Sequence, residues 1–581
     1  MVVRRRQQRG HRFTESPVLQ LALQGWRSRM VGLLLMAAFL ALVARSFYLQ
    51  VINNDFLQEK GESRYRRDLE ISASRGKILD RHGDLLAVST PMKSIWAIPA
   101  DARTMDDEQK RQLAALLEIP LRELDGRLAS EKTFAFIKRQ VPPDVADHIA
   151  ALKLPGVHQE KEYRRFYPAG EMTAHIVGFT GVDDKGLEGV ELAFQQSLLG
   201  HPGSRTVIRD RRGNIVEDIG AMKPPQDGKD IRLAMDSKIQ YLAYSQLKAV
   251  VEANKAKAAG AIVVDTRTGE ILALVNWPTY NPNNRGHLTG AQLRNRAITD
   301  TFEPGSVMKP FTAALAIERG KVRADTVINT APGRLSIGPA TISDAHPHGA
   351  LTVAEIIQKS SNVGTAKMAL GFQPQEMWEL FDNVGFGRLP NLGFPGEVHG
   401  RLRPWKNWRP IEQVTMSYGH GIAVSLVQLA RAYTVFARDG ELVPLSLTRV
   451  DDPVVHGQRV FSPKTMGDLR TMLEMAVQPG GTAPKARVPG YRVGGKTGTA
   501  YKIENGVYAR KYIASFVGLA PLSDPRLVVA VMIDEPSAGA HYGGDVAGPA
   551  FSQITGGALR TLGIPPDEPL PPSGTEGKSK S

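Results

Sequence analysis

"AGAIVVDTRTGEILALVN", residues 259–276, is two apolar, β-branched runs separated by Thr268-Gly269. Such runs about a Thr-Gly turn predict a β-hairpin. Within "VVDTRTGE" the lone glycine sits at that turn, so this string is not a phosphate-binding loop. Just upstream, "DSKIQYLAYSQLKAVVEANKAK" carries apolar residues at helical spacing. Far downstream, strands return in "YRVGGKTGTA", "KYIASFVGLAP" and "RLVVAVMIDEP", and a last helix covers about 544–563. Between these ends, about 306–440 is rich in helical patterns. Two early strands and three late ones therefore predict one five-stranded antiparallel sheet. Helices cover its faces, and a helical insert forms the opposite wall of a cleft.

Ahead of this segment, "GAMKPPQDGKD" (220–230) reads as a linker. Before it, "SRGKILDRHGDLLAVS" (74–89) predicts two short strands around a turn at His82-Gly83-Asp84. Residues 104–152 carry helical periods, and "RTVIRDRRGNIVED" predicts a hairpin turning at Arg-Gly-Asn. Residues 52–70 are charged and helix-compatible, which suits a stalk. The tail "GIPPDEPLPPSGTEGKSKS" has the composition of a disordered segment.

The N-terminus has its own logic. Residues 1–29 hold seven arginines against one acid, Glu15, and are followed by the apolar run "MVGLLLMAAFLALVA" at 30–44. That run is shorter than the ~20 residues a bilayer requires. Snorkelling by Arg45 and interfacial Phe47 and Tyr48 extend the span to 28–50. The arginine excess puts the N-terminus in the cytoplasm and everything after residue 50 outside, as a single-pass anchor. It also accounts for "RRRQQRGHR" without nucleic acid. No cysteine is present, which excludes disulfides and thiolate metal sites. The histidines of "DAHPHG" (344–349) lack a ligand pattern, so the sequence implies no metal and no cofactor. His420 and His541 have no partner pattern and read as packing or surface residues.

The chemistry lies in three short motifs. S-x-x-K occurs at Ser74–Lys77, Ser245–Lys248 and Ser306–Lys309. The first precedes a strand turn, and the second lies within an amphipathic helix. Only Ser306, in "EPGSVMKPF", follows a Pro-Gly turn and opens a helix. There, positions i and i+3 share a face and the helix dipole favours a developing alkoxide. S-x-N occurs once, at Ser360–Asn362, and K-T-G once, at Lys496–Gly498 within "KTGT". Alone, each has a bland reading as a cap, a turn or a hairpin edge. Together and in this order they form the signature of penicillin-recognising serine acyltransferases.

On these residues the chain resembles the class B penicillin-binding proteins, monofunctional peptidoglycan D,D-transpeptidases, over nearly its whole length. "RGKILDRHGDLLA", "YPAGEMTAHIVGFTG" and "GLEGVE" match the family's non-catalytic pedestal. "SSNVG", "SYGHGIAVSLVQLARAY", "GGKTGTA" and "HYGGDVAGPAF" match its catalytic domain. The asparagine of S-S-N favours the division-specific septal branch over the elongation-specific one, which usually carries aspartate there.

The resemblance implies an α+β multidomain chain. It comprises a cytoplasmic tail (1–27), a transmembrane helix (28–50), a pedestal of the dimerisation type (51–225), a transpeptidase domain (226–565) and a disordered tail (566–581). It implies Ser306 as nucleophile, Lys309 as base, Ser360 as proton relay, Asn362 on the substrate amide and Lys496 as a source of positive potential. Thr497, Gly498 and Thr499 would bind substrate, and the backbone N–H groups of Ser306 and Thr499 would form an oxyanion hole. The implied partners are peptidoglycan stem peptides, β-lactams as covalent inhibitors, and membrane proteins of the division complex including a polytopic glycan polymerase. A class A β-lactamase would need E-x-x-L-N. The nearest string, "ELFDN" (379–383), falls in a helix whose Met377, Leu380, Phe381 and Val384 read as core. A bifunctional synthase would need a glycosyltransferase motif that is missing, and a sensor would need more signalling machinery than 29 residues provide.

Overall fold

A computed structural model describes residues 25–53, 66–209, 215–218, 222–504 and 506–569. These residues group into two units, 1–71 with 203–224, and 72–202 with 225–581. In the first, helix Gly25–Phe47 continues through a π-helical turn, Tyr48–Ile52. Its 28 residues are long and apolar enough to cross a bilayer and run beyond 28–50 at both ends. At a rise of 1.5 Å per residue they reach about 42 Å, against a hydrocarbon core of about 30 Å. Arg66–Ile71, Gly203–Arg209 and Ile215–Asp218 form a three-stranded antiparallel sheet. The helix-compatible stalk therefore ends in a strand from residue 66, because sheet pairing overrides a weak local helix preference. The hairpin at 203–218 is present. Its turn, the rest of the stalk and the tail from 570 lie outside the described residues.

The N-terminal part of the second unit is built on the long strand Leu85–Ala97. It pairs with Ile78–Leu79, Ala135–Val141 and Val157–Phe166. The first pairing closes the turn expected at His82-Gly83-Asp84. Ala135–Val141 breaks the expected helical stretch 104–152, whose helices are Asp107–Leu116, Leu121–Leu128 and Pro143–Ala151, and Val157–Phe166 follows beyond it. These pack Leu113, Leu124 and Ile149 against Ile95, Ala97 and Ile137 of the sheet. The motif at 75–81 is structural. Arg75 and Arg165 both clasp the buried Glu191, each at 2.6 Å. A Cβ on Gly76 would lie 2.1 Å from the Lys229 carbonyl, so no side chain fits there. Asp80 accepts from the backbone N–H groups of His82 and Asp84 and from Ser237 Oγ, tying this part to the start of the next helix.

That helix is α1, Ser237–Asn254, capped by Asp236, whose Oδ1 accepts from the N–H groups of Lys238 and Ile239. The expected hairpin follows as β1 (Ala258–Asp265) and β2 (Ile271–Trp277). The late strands are β3 (Gly494–Glu504), β4 (Val507–Ala520) and β5 (Leu527–Asp534). The sheet is antiparallel in the order β2-β1-β5-β4-β3, two early strands beside three late ones as expected.

All eight residues of β1 are buried, because both faces are covered. Ile262 and Val264 face a core with Phe311, Tyr433 and Phe436. Their neighbours Ala261 and Val263 face the other side with Ile239, Leu247, Phe551 and Ile554. The helices thus brought in are α1 and α6 (Gly543–Thr561) on one face, with α2 (Lys309–Glu318) and α5 (Leu426–Ala437) on the other. The insert also holds α3 (Val353–Lys359), α4 (Asn362–Ala369) and four short strands between 327 and 352, which helical periodicity alone did not indicate. β3 ends the sheet on one side and faces this insert.

Candidate active site

Ser306 lies in a 3-10 turn, Gly305–Met308, that leads into α2, rather than in the α-helix itself. In such a turn side chains at i and i+3 eclipse, which keeps Ser306 and Lys309 on one side. Pro310 falls in the first turn of α2, where no N–H is required of it. The turn is pinned from below: Val307, Met308 and Phe311 are fully buried, and Tyr433 donates its hydroxyl to the Val307 carbonyl at 2.8 Å. Ser306 itself stays half-exposed.

Lys309 is completely buried. Its Nζ donates to Ser360 Oγ at 3.0 Å and to the Ser360 carbonyl. Among the described residues no hydrogen bond joins it to the Ser306 hydroxyl, so the lysine rests on the S-x-N motif. Burial, and then the charge of Lys496, hold its pKa well below the ordinary lysine value, while Asp344 acts in the opposite sense. A neutral amine beside a hydroxyl is equipped to pass a proton in either direction.

Ser360 caps the end of α3 with φ of 61°, a left-handed conformation that turns the chain sharply into α4. Ser361 then caps α4 through the Gly364 N–H at 2.9 Å. The loop that opens "DAHPHG" braces this motif through Asp344, a role its histidines drew attention away from. Asp344 accepts from Ser361 Oγ at 2.8 Å and from the Val363 N–H at 2.9 Å, while Asn362 Nδ2 donates to the Ser343 carbonyl at 2.8 Å. Asn362 is thereby oriented, with its side-chain oxygen left available.

The third motif sits on β3 as expected. Lys496 is fully buried, and desolvation lowers its pKa to about 7. Its Nζ donates to Thr497 Oγ1 at 3.1 Å, and Thr497 donates onward to Thr482 Oγ1. Gly498 must be glycine: a Cβ there would lie 2.4 Å from Ser515 Oγ and 2.7 Å from the Pro304 carbonyl. Gly305, at φ of 62°, faces the backbone of Thr499. Thr499 Oγ1 accepts from the Gly543 N–H at 3.1 Å. The fold therefore gathers Ser306, Lys309, Ser360, Asn362, Lys496, Thr497, Gly498 and Thr499 at one groove between β3 and the insert.

His420 is not merely packing or surface, contrary to expectation. Glu303, three residues before Ser306, binds His420 Nδ1 at 3.0 Å and the Gly421 N–H at 2.7 Å, and Tyr508 from β4 donates to it at 3.1 Å. Burial alone would raise the Glu303 carboxyl, but these hydrogen bonds outweigh it and hold the pKa below the usual value. No spacing rule connects residues 117 apart in sequence. The only textual hint was the charge in E-P-G-S. Glu379, the nearest thing to a hydrolytic glutamate, lies in helix Pro374–Asn383, whose Met377, Leu380 and Phe381 are core.

Known proteins resemble this chain over most of its length. Residues 259–556 match the penicillin binding protein transpeptidase domain, and residues 70–233 match the penicillin-binding protein dimerisation domain. The chain is 46% identical over 537 residues to a probable peptidoglycan D,D-transpeptidase, PenA, of Neisseria gonorrhoeae, covering 92% of each chain. It is 43% identical over 549 residues to the peptidoglycan D,D-transpeptidase FtsI of Escherichia coli, covering 93% of each. Among solved structures, the apo TP domain of penicillin-binding protein 3 from Burkholderia pseudomallei superposes with a TM-score of 0.54 at 53% identity. That match covers 58% of this chain and 98% of that one.

Proposed function

The chain belongs to the class B penicillin-binding proteins, and on that premise we propose that it is a peptidoglycan D,D-transpeptidase of the division septum, acting through an acyl-enzyme on Ser306. The observation that carries this reading is the buried, deprotonation-prone Lys309, held on Ser360 beside the turn that presents Ser306 and faces β3.

In the first half-reaction Ser306 Oγ attacks the carbonyl of the penultimate D-Ala of a stem peptide. The C–O bond forms and the C–N bond to the terminal D-Ala breaks. Lys309 takes the hydroxyl proton, and Ser360 passes a proton to the departing amine. Asn362 holds the substrate amide, while Lys496, Thr497 and Thr499 receive the terminal carboxylate. The Ser306 and Thr499 N–H groups hold the oxyanion, each worth about 2.7–4 kcal/mol of barrier. An amine of a neighbouring stem peptide then takes the acyl group. β-Lactams enter the same step and stop at the ester. Intact mass after incubation with a penicillin checks this. One stable adduct is expected on the wild type and none on Ser306→Ala. Fast turnover of the drug would instead mean a β-lactamase.

On this reading residues 51–225 are a non-catalytic pedestal and 226–565 the transpeptidase domain, carried in the periplasm by the N-terminal helix with its arginines in the cytoplasm. The helix and pedestal would dock membrane proteins of the division machinery, a polytopic glycan polymerase among them. Replacing residues 1–51 with an unrelated anchor is expected to abolish septal recruitment. A fully complementing chimera would refute the docking role of the helix.

A further inference from the structure

The transfer step leaves one proton without a destination. An acceptor amine arrives in water as an ammonium, which has no lone pair with which to attack an ester. On becoming an amide it gives up two protons. One restores the Ser306 hydroxyl as the C–Oγ bond breaks, and Lys309 and Ser360 are placed to return it. The other must reach a different base before the C–N bond can form. Both site lysines are fully buried. Burial pushes the phenols of Tyr418 and Tyr508 up to about 12, so neither is a base at neutral pH.

Resting on the transpeptidase reading, we propose that His420 is this base, taking the first proton from the incoming ammonium at Nε2. A carboxylate can only accept, so the Glu303 contact requires the hydrogen of His420 to be on Nδ1. That leaves the Nε2 lone pair free, the same tautomer logic by which a buried carboxylate prepares a catalytic histidine. Nε2 has no protein partner among the described residues, and the side chain keeps 27% of its surface open. Glu303 cannot swing away, since the Gly421 N–H and the Tyr508 hydroxyl hold it from two elements. The ring lies edge-on between Tyr418 at 5.6 Å and Tyr508 at 6.3 Å.

Placement completes the argument. The Gly305 N–H donates to the Gly419 carbonyl at 3.1 Å, so the residues adjoining Ser306 and His420 are bonded to each other. Tyr508 comes from β4, the strand paired along β3. His420 therefore stands where the serine turn, the insert and the β3–β4 hairpin meet. His541 also lies beside the K-T-G strand, stacked on Tyr512 at 4.2 Å, and among the described residues no carboxylate is bonded to it.

The test uses the full-length enzyme, a benzoyl-D-alanyl thioester as acyl donor and D-alanine as amine acceptor. It measures the ratio of aminolysis to hydrolysis, alongside the rate at which a penicillin labels Ser306. For His420→Gln and His420→Phe, aminolysis should fall about 100-fold more than labelling does. Glu303→Gln should follow in the same direction, because an amide can favour the wrong tautomer. The His541→Gln ratio should match the wild type. Equal losses in labelling and transfer would make His420 structural and overturn the proposal. So would an unmoved ratio, or a loss seen in His541→Gln instead. A wild-type chain that penicillin fails to label overturns the transpeptidase reading and this inference together. A labelled wild type with His420-independent transfer overturns only the inference.

Discussion

Lys309 and Lys496 share one buried site, and two ammonium groups cannot both be kept there cheaply. On Lys309 repulsion from Lys496 adds to its own desolvation, whereas desolvation lowers Lys496 by itself. The two residues have opposite needs. Lys309 works as the neutral base, so acylation rises as pH climbs through its lowered pKa. Lys496 works as a cation, and its charge is lost as pH rises through about 7. Penicillin acylation should therefore fall off on the alkaline side of neutrality. Lys496→Arg should remove that descending limb, since guanidinium does not deprotonate in this range, while lowering the maximum because its geometry differs. Acylation rates of a fluorescent penicillin across neutral pH measure both effects. A limb that persists in the arginine variant would assign it to another group.

At the scale of elements, the site depends on how closely backbone segments approach one another. The loop between helix Pro410–Ser417 and α5 lies directly on the serine turn. Gly419, at φ of 87°, would place a Cβ 2.2 Å from the Gly305 carbonyl. Gly419→Ala adds about 1–2 kcal/mol of left-handed strain before any clash is relieved. The relief must move either the loop or the turn. Penicillin labelling of Gly419→Ala should drop at least about tenfold with the fold retained by circular dichroism. Labelling at the wild-type rate would show that the turn is not held by this contact. Elements were legible in the sequence where one pattern ruled them. The β1–β2 hairpin, β3 and α1 stood where periodicity put them. Ala135–Val141 did not, because its charged, half-exposed residues look helical until Leu85–Ala97 pairs with it.

Over the whole of the larger unit, stability is tied to buried charges and to one buried imidazole. His175, within the residues that match the dimerisation domain, donates Nε2–H to the Gln292 carbonyl at 2.7 Å, and Asn295 donates back to the His175 carbonyl. Burial lowers its pKa from 6.5 to about 4. The folded chain thus keeps it neutral while the unfolded chain protonates it below 6.5. Above that value the group contributes no pH dependence. As pH falls from 6.5 toward 4, stability declines by about 1.4 kcal/mol per unit, on the order of 3 kcal/mol in all. His175→Gln keeps a donor for Gln292 without a titrating ring. Its denaturation midpoint should fall less on acidification than that of the wild type. Parallel declines would place the acid sensitivity elsewhere.

The order S-x-x-K, S-x-N, K-T-G, the two-plus-three strand pattern and the arginine-led apolar helix were all readable from residue types and spacing. Each depends on neighbours a few positions apart, and local physics repeats regularly enough to leave a period. Other features became visible only in three dimensions: Lys309 resting on Ser360, Asp344 bracing Ser361, and Glu303 fixing His420. Those contacts join residues between 17 and 117 positions apart. Only the packing of the serine turn and the segments of the insert against one another brings them within bonding distance, and no local pattern encodes a distance that folding itself creates.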